Sequence, residues 1–565
     1  MATNVQPDGV PTLYTTGDGS IDTRSAVIPV SRPAAVGLEG RAALLAMIGI
    51  ALVILLSALD QTIVATALPS VIAELQGFDL YAWVATAYLL TSTIMVPIMG
   101  KLGDLYGRKP FLLAAIVIFV GASAMAGAAN SMIFLIVSRA IQGVGAGMLQ
   151  ATAFASVGDM FPQPERRARW QGIITGTFGL ASVVGPSLGG IMTDTLGWRS
   201  VFYVNLPVGL LAIVMIWMTL PANLSPRVAK ARIDWAGAAL ITVAISALLL
   251  GVEWGGSTYG WASPEIITLL ALSAAVFVAF LLVERRAPQP LLPLDLFHTP
   301  IIALCTAISL LLGFSLFALT FYTPLLAQGA LGMSASAAGA ILTPLVVFLA
   351  LGSLVSGQTF ARLKKVRVLM TIGAGLSVVG SFLLARVAPG VSTFVLGFEL
   401  ALCGLGVGML LPMLTVLVQS NVPRDRLGVS TATVQFVRLI GSTLGTAIVG
   451  ALVSVIFLSQ LTAHAAPETD PRLLAAFRDP QALVSQQTRM QIGALAQQIG
   501  AAAQLDQLLN VGRAALASGI QAGFIIAFVT SLVVFGLVLF MRDSMITTTP
   551  IPPQDMPLDA GAHAL

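Results

Sequence analysis

Residues 100–109 read GKLGDLYGRK and join two long apolar runs, residues 83–99 and 111–129. The ten residues hold three glycines, one carboxylate and three cations, whereas the chain on either side is almost free of charge. A connection this short between two membrane-length helices reverses the chain tightly, and glycine tolerates the backbone angles of such a turn. Asp104 precedes Arg108 by four residues, so the two side chains can meet at a helix end. In the simplest interpretation, the cations only hold the turn on the cytoplasmic side of a membrane.

The composition indicates that most of the chain lies in lipid. Of its 565 residues, 57% are hydrophobic and only 10% are charged, whereas soluble domains carry about 25% charged residues. The 54 glycines and 30 prolines are tolerated in membrane helices, where neighbouring helices satisfy the freed backbone groups. The net charge of +4 is therefore no sign of nucleic-acid binding. The two cysteines, Cys305 and Cys403, lie in apolar runs and fit neither a disulfide framework nor a metal site.

Fourteen stretches are long and apolar enough to cross a bilayer, which takes about 20 residues. The predicted spans, numbered 1 to 14 in chain order, are residues 42–70, 82–101, 110–129, 132–157, 168–193, 199–220, 234–253, 264–284, 300–328, 335–358, 367–387, 392–418, 428–459 and 514–541. With both termini cytoplasmic, the inside loops hold most of the 29 cations, in agreement with the positive-inside rule. The sequence therefore predicts an all-α integral membrane protein with an even number of spans.

The spans divide into two halves and an insert. Residues 357–365, after span 10, read GQTFARLKK and keep the leading glycine and trailing cations of residues 100–109, without the aspartate. If spans 7 and 8 are an insert, the remaining twelve spans form two six-helix halves, a common plan in transporters. The predicted segments are a disordered cytoplasmic tail at 1–40, a six-helix bundle at 41–222, a two-helix insert at 223–298, a second six-helix bundle at 299–545 and a cytoplasmic tail at 546–565.

Residues 460–511 differ from the rest of the second bundle. They are rich in alanine, glutamine and leucine, carry mixed charges and would lie outside the membrane. The run 483–509 fits an amphipathic helix, and a solvated connector is the simpler alternative, since long loops are often functional or disordered. The sequence leaves both interpretations open.

Ionisable side chains inside the predicted spans are costly, so each is a candidate functional group. Asp60 lies in the middle of span 1, where a carboxylate is unfavourable unless it is protonated, paired or hydrated. Arg139 lies in span 4, and Gln142 and Gly143 follow it by one helical turn on the same face. We expect Asp60 to take up and release a proton. The alternatives are a structural hydrogen-bonding role for Asp60 and simple carbonyl binding by Arg139.

Two further ionisable residues lie in spans of the second half. Glu399 is in span 12 and Arg438 is in span 13, with Gln435 one turn from Arg438 on the same face. Each charge has the chemistry to pair with a charge in the other half. With Asp60 and Arg139, they are our candidates for proton coupling. The alternatives are a Glu399 shallow enough to reach outer water and an Arg438 held in a static ion pair.

Span 5 contains the run GPSLGG at residues 185–190, after Gly172, Gly176 and Gly179. Small residues every three or four positions let helices approach closely, and proline bends the span. By themselves these residues predict only a tight helix crossing. The three histidines are far apart, and the sequence contains neither a phosphate-cradling nor a zinc-binding pattern. We therefore expect a protein that is not an enzyme and that has no cofactor and no metal site.

Five motifs in the same order resemble those of the major facilitator superfamily, specifically its fourteen-helix drug:proton antiporter branch. They are residues 59–69 in span 1, 100–109 between spans 2 and 3, 135–147 in span 4, 185–190 in span 5 and 197–207 at the start of span 6. Ala181 stands where the span 5 motif often has a glycine. The resemblance covers residues 42–545.

The resemblance implies two six-helix bundles that rock about a central cavity while a proton gradient drives export of lipophilic, often cationic, compounds. It assigns a gate network to Gly100, Asp104, Gly107, Arg108 and Asp159, and an antiporter motif to Gly185, Pro186, Gly189 and Gly190. In such a protein Asp104 binds the start of span 13 near Gly428, because the amino end of a helix attracts a carboxylate. The second half lacks the matching aspartate, so its side of the gate must be held in another way.

Aromatic and amide side chains in the spans are candidates for lining the substrate cavity. Aromatic faces attract lipophilic cations, although aromatics in apolar helices commonly serve packing instead. The candidates are Tyr88, Gln142, Phe154, Phe317, Phe321, Gln435 and Phe436.

The leading hypothesis is a proton-coupled exporter of lipophilic drugs, a multi-pass monomer of a prokaryotic plasma (inner) membrane with both termini in the cytoplasm. Its partners would be protons, the lipid bilayer and a lipophilic substrate. An exporter of a lipid or an endogenous metabolite on the same fold is the main alternative, because span 13 and residues 460–511 suit transfer of cargo to an extracytoplasmic acceptor. A non-transporting receptor or scaffold is a third hypothesis, which the intact motif at 100–109 disfavours.

Overall fold

A computed structural model of the chain describes most of the residues between 40 and 541. The described residues are 40–75, 80–221, 224, 233–255, 259–333, 335–387, 391–466, 469–477, 483 and 486–541. The predicted tail at 546–565, and all of the tail at 1–40 except its last residue, lie outside this set.

Helices account for nearly all of the described chain. They are α1 Gly40–Leu75, α2 Tyr81–Tyr106, α3 Arg108–Gly127, α4 Met132–Met160, α5 Pro164–Leu196, α6 Ser200–Tyr203, α7 Asn205–Thr219, α8 Trp235–Trp254, α9 Pro264–Glu284, α10 Pro300–Leu325, α11 Ala335–Leu363, α12 Val366–Leu384, α13 Thr393–Ser420, α14 Leu427–His464, α15 Pro471–Ala476, α16 Gln486–Gln498 and α17 Ala502–Leu539. Among the described residues, fourteen helical segments have the length and apolar composition needed to cross a bilayer. The predicted all-α membrane architecture is therefore confirmed.

The sixth span is helical from Ser200 to Thr219, in agreement with the helix that the sequence predicted over residues 199–220. α6 ends at Tyr203 and α7 begins at Asn205, and Val204 between them keeps a helical backbone, with a φ of −60° and a ψ of −24°. Pro207 has no N–H to donate to the carbonyl of Tyr203, so one hydrogen bond of the helix is absent at this point. Asn205 therefore lies within a continuous span, with its polar side chain buried in the bundle.

The helices of each half pack mainly on one another. In the first half α4 packs on α2 and α3, while α1 packs on α5 and α7. In the second half α13 packs on α11 and α12, α10 packs on α14, and α17 packs on α12 and α14. Apolar side chains such as Phe119 and Met413, both 0% exposed, fill the centre of each half.

The insert consists of α8 and α9, which pack on each other, and α8 also contacts α2 and α14. The rings of Trp83 in α2 and Trp254 in α8 meet edge to face, with their centroids 6.1 Å apart. The insert therefore lies beside the contact between α2 of the first half and α14 of the second half.

Two helices of the second half are much longer than a bilayer requires. α14 and α17 each have 38 residues, which is about 57 Å at 1.5 Å per residue, against a hydrocarbon core of about 30 Å. Between them, α15 and α16 complete a compact apolar cluster in which Leu473, Phe477 and Ile492 are at most 4% exposed. Where the sequence left a solvated connector open, the described residues of 460–511 instead form packed helices.

The turns after α2 and after α11 share a feature that supports the internal symmetry seen in the sequence. Gly107 follows α2 with a φ of 91°, and Lys364 follows α11 with a φ of 56°. Both values lie in the left-handed region, which glycine enters freely and lysine rarely. We call the end of the bundle that carries these two turns the Gly107 end, and the end at which α14 finishes the far end.

Candidate functional site

A buried ion pair between α1 and α4 lies at the centre of the first half. Arg139 Nη1 donates to Asp60 Oδ2 over 2.5 Å, and the two side chains are 3% and 0% exposed. The guanidinium also donates to the Gln142 side-chain oxygen over 2.7 Å and to the Val84 carbonyl over 3.3 Å. The predicted residues Asp60, Arg139 and Gln142 are thus brought together in one network.

The other carboxylate oxygen of Asp60 accepts two amide donors. Gln142 Nε2 lies 2.8 Å and Asn205 Nδ2 lies 3.1 Å from Asp60 Oδ1. Both amides also contact Ser123 Oγ, at 3.0 and 2.8 Å. A charge this deeply buried needs such a complete set of donors, because an unpaired one would be strongly destabilising.

Tyr88 lies against this ion pair and not on an open cavity. Its side chain is 1% exposed, and the Arg139 guanidinium carbon lies 4.3 Å from the centre of its ring. Its hydroxyl is 3.4 Å from Ser57 Oγ. In this conformation Tyr88 packs beneath the arginine, a cation–π arrangement that favours the buried charge.

The turn at residues 100–109 joins the two halves through one carboxylate. Asp104 Oδ1 accepts from the backbone N–H of Gly428 over 2.8 Å, and Oδ2 accepts from that of Val429 over 2.7 Å. These N–H groups are in the first turn of α14, where the helix dipole favours an anion. The contact expected from the sequence between Asp104 and the start of this helix is present.

Arg108 holds the two carboxylates of the same network. Its Nη2 lies 2.6 Å from Asp104 Oδ1, and its Nε donates to Asp159 at the end of α4. All three side chains are at most 3% exposed. The network therefore ties α2, α3 and α4 to one another as well as to α14.

Two glycines allow this close approach of α2 and α14. A Cβ on Gly100 would lie 2.3 Å from the Cβ of Ala432, and a Cβ on Gly428 would lie 2.5 Å from Asp104 Oδ1. Both distances are well below van der Waals contact. Any larger residue at either position would separate the helices and lengthen the hydrogen bonds to Asp104.

A second crossing joins the halves at the same end, between α5 and α11. A Cβ on Gly172 would lie 2.4 Å from the Ser353 carbonyl oxygen, and one on Gly357 would lie 2.5 Å from that of Ala168. Beyond this contact Lys364 Nζ lies 3.0 Å from Glu165 Oε1, in the first turn of α5. At this crossing the second half contributes the cation Lys364, whereas at the first crossing the first half contributes the carboxylate of Asp104.

A group of amides closes the space between the two crossings. Gln419 Nε2 in α13 donates to the Phe154 carbonyl over 3.1 Å and to Thr431 Oγ1 over 3.0 Å. Gln171 Nε2 in α5 donates to the same carbonyl over 3.0 Å. Both glutamines are at most 2% exposed, so these contacts between the halves are shielded from water.

Comparison with known proteins places this architecture in a family. The sequence profile of the Major Facilitator Superfamily matches residues 50–446. The chain belongs to the Major Facilitator Superfamily. The predicted superfamily is confirmed, and the protein is a transporter and not an enzyme.

Two relatives of this facilitator come from Bacillus subtilis. The chain is 36% identical over 507 residues to multidrug resistance protein 3, covering 89% of this chain and 96% of that protein. It is 37% identical over 424 residues to the multidrug transporter protein MdtP, covering 75% and 77% of the two chains. Both relatives support the multidrug exporter type within the superfamily.

Two solved structures share the facilitator fold. The human organic anion transporter MFSD10 superposes with a TM-score of 0.58 at 14% identity, over 87% of this chain and 100% of that one. The proton:xylose symporter XylE superposes with a TM-score of 0.52 at 15% identity, over 71% and 87% of the two chains. At these identities the matches confirm the fold alone.

The span 5 motif of the facilitator packs directly on α1, just beyond Asp60. A Cβ on Gly185 would lie 1.9 Å from Thr62 Oγ1, and one on Gly189 would lie 2.4 Å from Thr66 Oγ1. A Cβ on Gly190, in contrast, would meet nothing within 4 Å. Pro186 lies inside α5 with its side chain exposed. Two of the four motif residues are therefore required by the contact with α1.

Glu399 and Arg438, the charged candidates of the second half, are not brought together with the first pair. Glu399 in α13 is 7% exposed, and its Oε2 has no hydrogen-bond partner among the described residues. Arg438 in α14 is half-buried, and its backbone carbonyl lies against Gly313 of α10. Within the described chain neither forms the ion pair with the other half that the sequence suggested.

The remaining cavity candidates are in different environments. Phe317 and Phe321 in α10 are 36% and 57% exposed and stack with centroids 6.0 Å apart. Phe436 is 2% exposed and packs with the apolar cluster of the first half, and Phe154 is half-buried. Gln435 is 3% exposed, and neither atom of its amide has a partner within the described chain. Of the seven cavity candidates, Phe317 and Phe321 are the two with exposed side chains.

Toward the far end, an exposed pair braces the first half of the facilitator. Arg199 Nη1 lies 2.5 Å and Trp198 Nε1 lies 2.7 Å from the Glu74 carboxylate. The hydrogen bond from Arg199, followed by that from Trp198, lowers the pKa of Glu74 below its ordinary value. Arg199 also donates to the Ala129 carbonyl over 3.0 Å, so α1, α3 and the start of α6 are joined.

Several residues of these networks had no role predicted from the sequence. Asn205 lay in a recognised motif, and Lys364 was noted only as a loop cation. Ser123, Glu165 and Gln419 carried no pattern of their own. The usable signal was a buried amide or hydroxyl in an apolar span, but many such groups only bond to their own helix, as Thr306 does with Ile302. Contacts across the bundle were needed to separate the two kinds.

Proposed function

We propose that this protein exports lipophilic, often cationic, compounds across a prokaryotic plasma membrane in exchange for protons, by alternating access and as a monomer with both termini cytoplasmic. Two multidrug relatives from a bacterium support the substrate class. The distribution of lysine and arginine between loops supports the orientation, which makes the Gly107 end cytoplasmic.

The observation that carries the proposal is the fully buried Asp60 in its ion pair with Arg139. A proton on Asp60 removes the charge that Arg139 faces. A buried cation left without its partner is costly, so the contact between α1 and α4 has to rearrange. Proton binding is thereby converted into movement of helices, which is what coupling requires.

The contacts at the Gly107 end support a place for the described conformation in the proposed transport cycle. Asp104 reaches α14 and Glu165 reaches Lys364 only while the two halves meet at the Gly107 end. In the proposed orientation this conformation is the one closed to the cytoplasm. Separating the halves at this end would break both contacts and give the conformation that is open to the cytoplasm.

The second half supplies further candidates for coupling and binding. Among the described residues, one carboxyl oxygen of Glu399 is buried without a donor, which suits a group that carries a proton in part of the cycle, and Arg438 is its candidate counter-charge. Within the same residues the amide of Gln435 has no hydrogen-bond partner, and the exposed rings of Phe317 and Phe321 stack on each other, so these three are our candidates for substrate contact.

The test uses purified protein in liposomes with an imposed pH gradient and the lipophilic cation tetraphenylphosphonium as probe. We expect gradient-driven uptake by the wild type and none by Asp60→Asn, because the variant has no group to protonate. Asp506→Asn, an exposed carboxylate in α17, is the matched control and should transport like the wild type. Full gradient-driven transport by Asp60→Asn would refute the proposed coupling site.

A lipid or an endogenous metabolite is the second candidate cargo, favoured by the packed outer helices α15 and α16. Helices that extend beyond the bilayer offer a surface to an extracytoplasmic acceptor. Fluorescent phospholipid is the probe, in the same liposomes, with and without residues 471–498. Lipid transport that is lost on deletion while tetraphenylphosphonium transport survives would favour this candidate. Absence of lipid transport in the intact protein would exclude it.

A further inference from the structure

Two neutral polar side chains from separate helices converge on the Asp60 network. Ser123 comes from α3 and is 0% exposed, and Asn205 comes from the start of α7 and is 2% exposed. Their mutual distance, from Asn205 Nδ2 to Ser123 Oγ, is 2.8 Å. Burial of this much polarity in a membrane bundle is costly unless every group is satisfied, so the pattern of donors and acceptors is informative.

The hydroxyl of Ser123 fixes the direction of every hydrogen bond in the network. Its single proton is directed to the Phe202 carbonyl oxygen, 3.1 Å away, which can only accept. Ser123 Oγ must therefore accept from both Asn205 and Gln142. An amide nitrogen has two hydrogens, so each amide donates one to Ser123 and one to Asp60 Oδ1.

As a result, every group that touches the carboxylate of Asp60 is a donor. Arg139 donates to Oδ2, and the two amides donate to Oδ1. A protonated Asp60 would itself have to donate a hydrogen bond. The Arg139 guanidinium has no acceptor, and an amide could accept only by turning its oxygen toward Asp60. The arrangement fits the ionised carboxylate, and protonation must displace at least one donor.

We propose that Asn205, anchored by Ser123, is a positioning residue that holds Asp60 in its ionised form, and that its displacement transmits protonation to the sixth span. The proposal rests on the proton-coupling function proposed above. Among the three donors Asn205 has the longest contact with Asp60, at 3.1 Å, and it lies two residues before Pro207, which removes one hydrogen bond from the helix. Because helices bend most easily at proline, the sixth span can bend at this point when the contact is lost.

Arg139 is the one cation that pairs with Asp60 in the described part of the chain. α4 contributes Arg139 as the ion-pair partner, and α2 contributes Tyr88 beneath it. α3 and α7 contribute only the neutral Ser123 and Asn205 to the network. In the described part of the chain Asp60 forms no other ion pair, so loss of the Asn205 donor is not masked by a second cation.

The test measures the affinity of the purified full-length protein for tetraphenylphosphonium as a function of pH. Removing one donor from an anion destabilises the ionised form, so Asn205→Leu should move the midpoint of the affinity curve to higher pH. The expected shift is about one pH unit, a tenfold change in proton concentration, for one hydrogen bond to a charged group. Ser123→Ala should move it in the same direction by less, because it removes the anchor and not the donor.

Two further variants make the result decisive. Thr306→Val removes a buried hydroxyl that bonds only to its own helix and should leave the midpoint unchanged. Asn205→Ser replaces Asn205→Leu if the latter does not reach the membrane, and it should show the same shift. A midpoint that stays at the wild-type pH in the Asn205 and Ser123 variants, even with weaker binding at all pH values, would overturn the inference.

Asp60→Asn separates this inference from the proposed function. Loss of the pH dependence in Asp60→Asn, with unmoved midpoints in the Asn205 variants, would refute the role of Asn205 alone. A pH dependence that persists in Asp60→Asn would refute Asp60 as the proton site and the inference with it.

Discussion

Replacing Asp104 by asparagine tests whether one carboxylate holds the two halves together at the Gly107 end. Asp104 accepts the N–H groups of Gly428 and Val429 at 2.8 and 2.7 Å, and the Arg108 guanidinium at 2.6 Å. An asparagine keeps the shape but has one acceptor oxygen, and its amide nitrogen would face a backbone N–H. The variant therefore loses the charge and at least one of the two contacts with α14.

The size of the effect follows from the burial of the contact. A hydrogen bond to a charged group contributes about 1.5–3 kcal/mol, and the helix dipole adds up to about 2 kcal/mol in partly buried geometry. Because the asparagine retains one contact, we expect a net loss of about 2–3 kcal/mol, or about 30- to 150-fold in the ratio of closed to open gate. The contact exists only when the halves meet, so the whole loss acts on that ratio.

Cysteine labelling measures this ratio directly. Ser430 in α14 is 1% exposed, and a cysteine there reacts with a maleimide only when the gate opens. Cys305 and Cys403, both buried, are first replaced by alanine. The labelling rate of Ser430→Cys should rise by about the factor given above in Asp104→Asn. The exposed neighbour Asp425 provides the matched control, and Asp425→Asn should label at the rate of the parent.

A labelling rate in Asp104→Asn equal to that in Asp425→Asn would refute the reasoning. It would mean that the two N–H groups of α14 find equally good partners without the carboxylate, or that the crossing of α5 with α11 alone sets the equilibrium.

The same cysteine reporter tests the second crossing. Reversing the charge of Glu165 or of Lys364 alone should raise the labelling rate about two- to fivefold, as for a solvent-exposed ion pair. Reversing both charges should restore the parent rate. A double variant that labels as fast as either single variant would contradict the pairing. Gly172→Val should raise labelling strongly and abolish transport, because its Cβ would lie 2.4 Å from a facing carbonyl oxygen. Gly121→Val, whose Cβ meets nothing within 4 Å, is its control, and equal behaviour of the two would show that the close approach is not needed.

Much of the fold was predictable because lipid imposes a simple rule on the sequence. Long apolar stretches and the distribution of cations predicted fourteen spans, and the described part of the chain contains fourteen helical segments long and apolar enough to span a bilayer. The helices α15 and α16 were left open, because their apolar residues gain stability by packing with α14 and α17, and the sequence does not show which helices pack together.

The residues of the candidate site were also only partly predictable from the sequence. Asp60, Arg139 and Asp104 stood out because a charge in an apolar span is costly wherever it points. The ion pair of Glu165 with Lys364 was hidden, since each is an ordinary loop or helix-end charge in the sequence. The direction of the buried aromatics was equally hidden, and Tyr88 and Phe436 are now packed where a cavity lining was expected. Sequence position gives the depth of a side chain but not the helix it faces.

The length of α14 and α17 turns a small rotation into a large displacement. Each helix is about 27 Å longer than the hydrocarbon core is thick, and α15 and α16 pack in one apolar cluster with these helices. A rotation of the second half by about 15°, the size of known subunit rotations, would move the part beyond the core sideways by up to about 7 Å. Any molecule bound to α15 or α16 would be carried back and forth once per turnover. A pair of fluorophores, one on these helices and one on the first half, would report each movement.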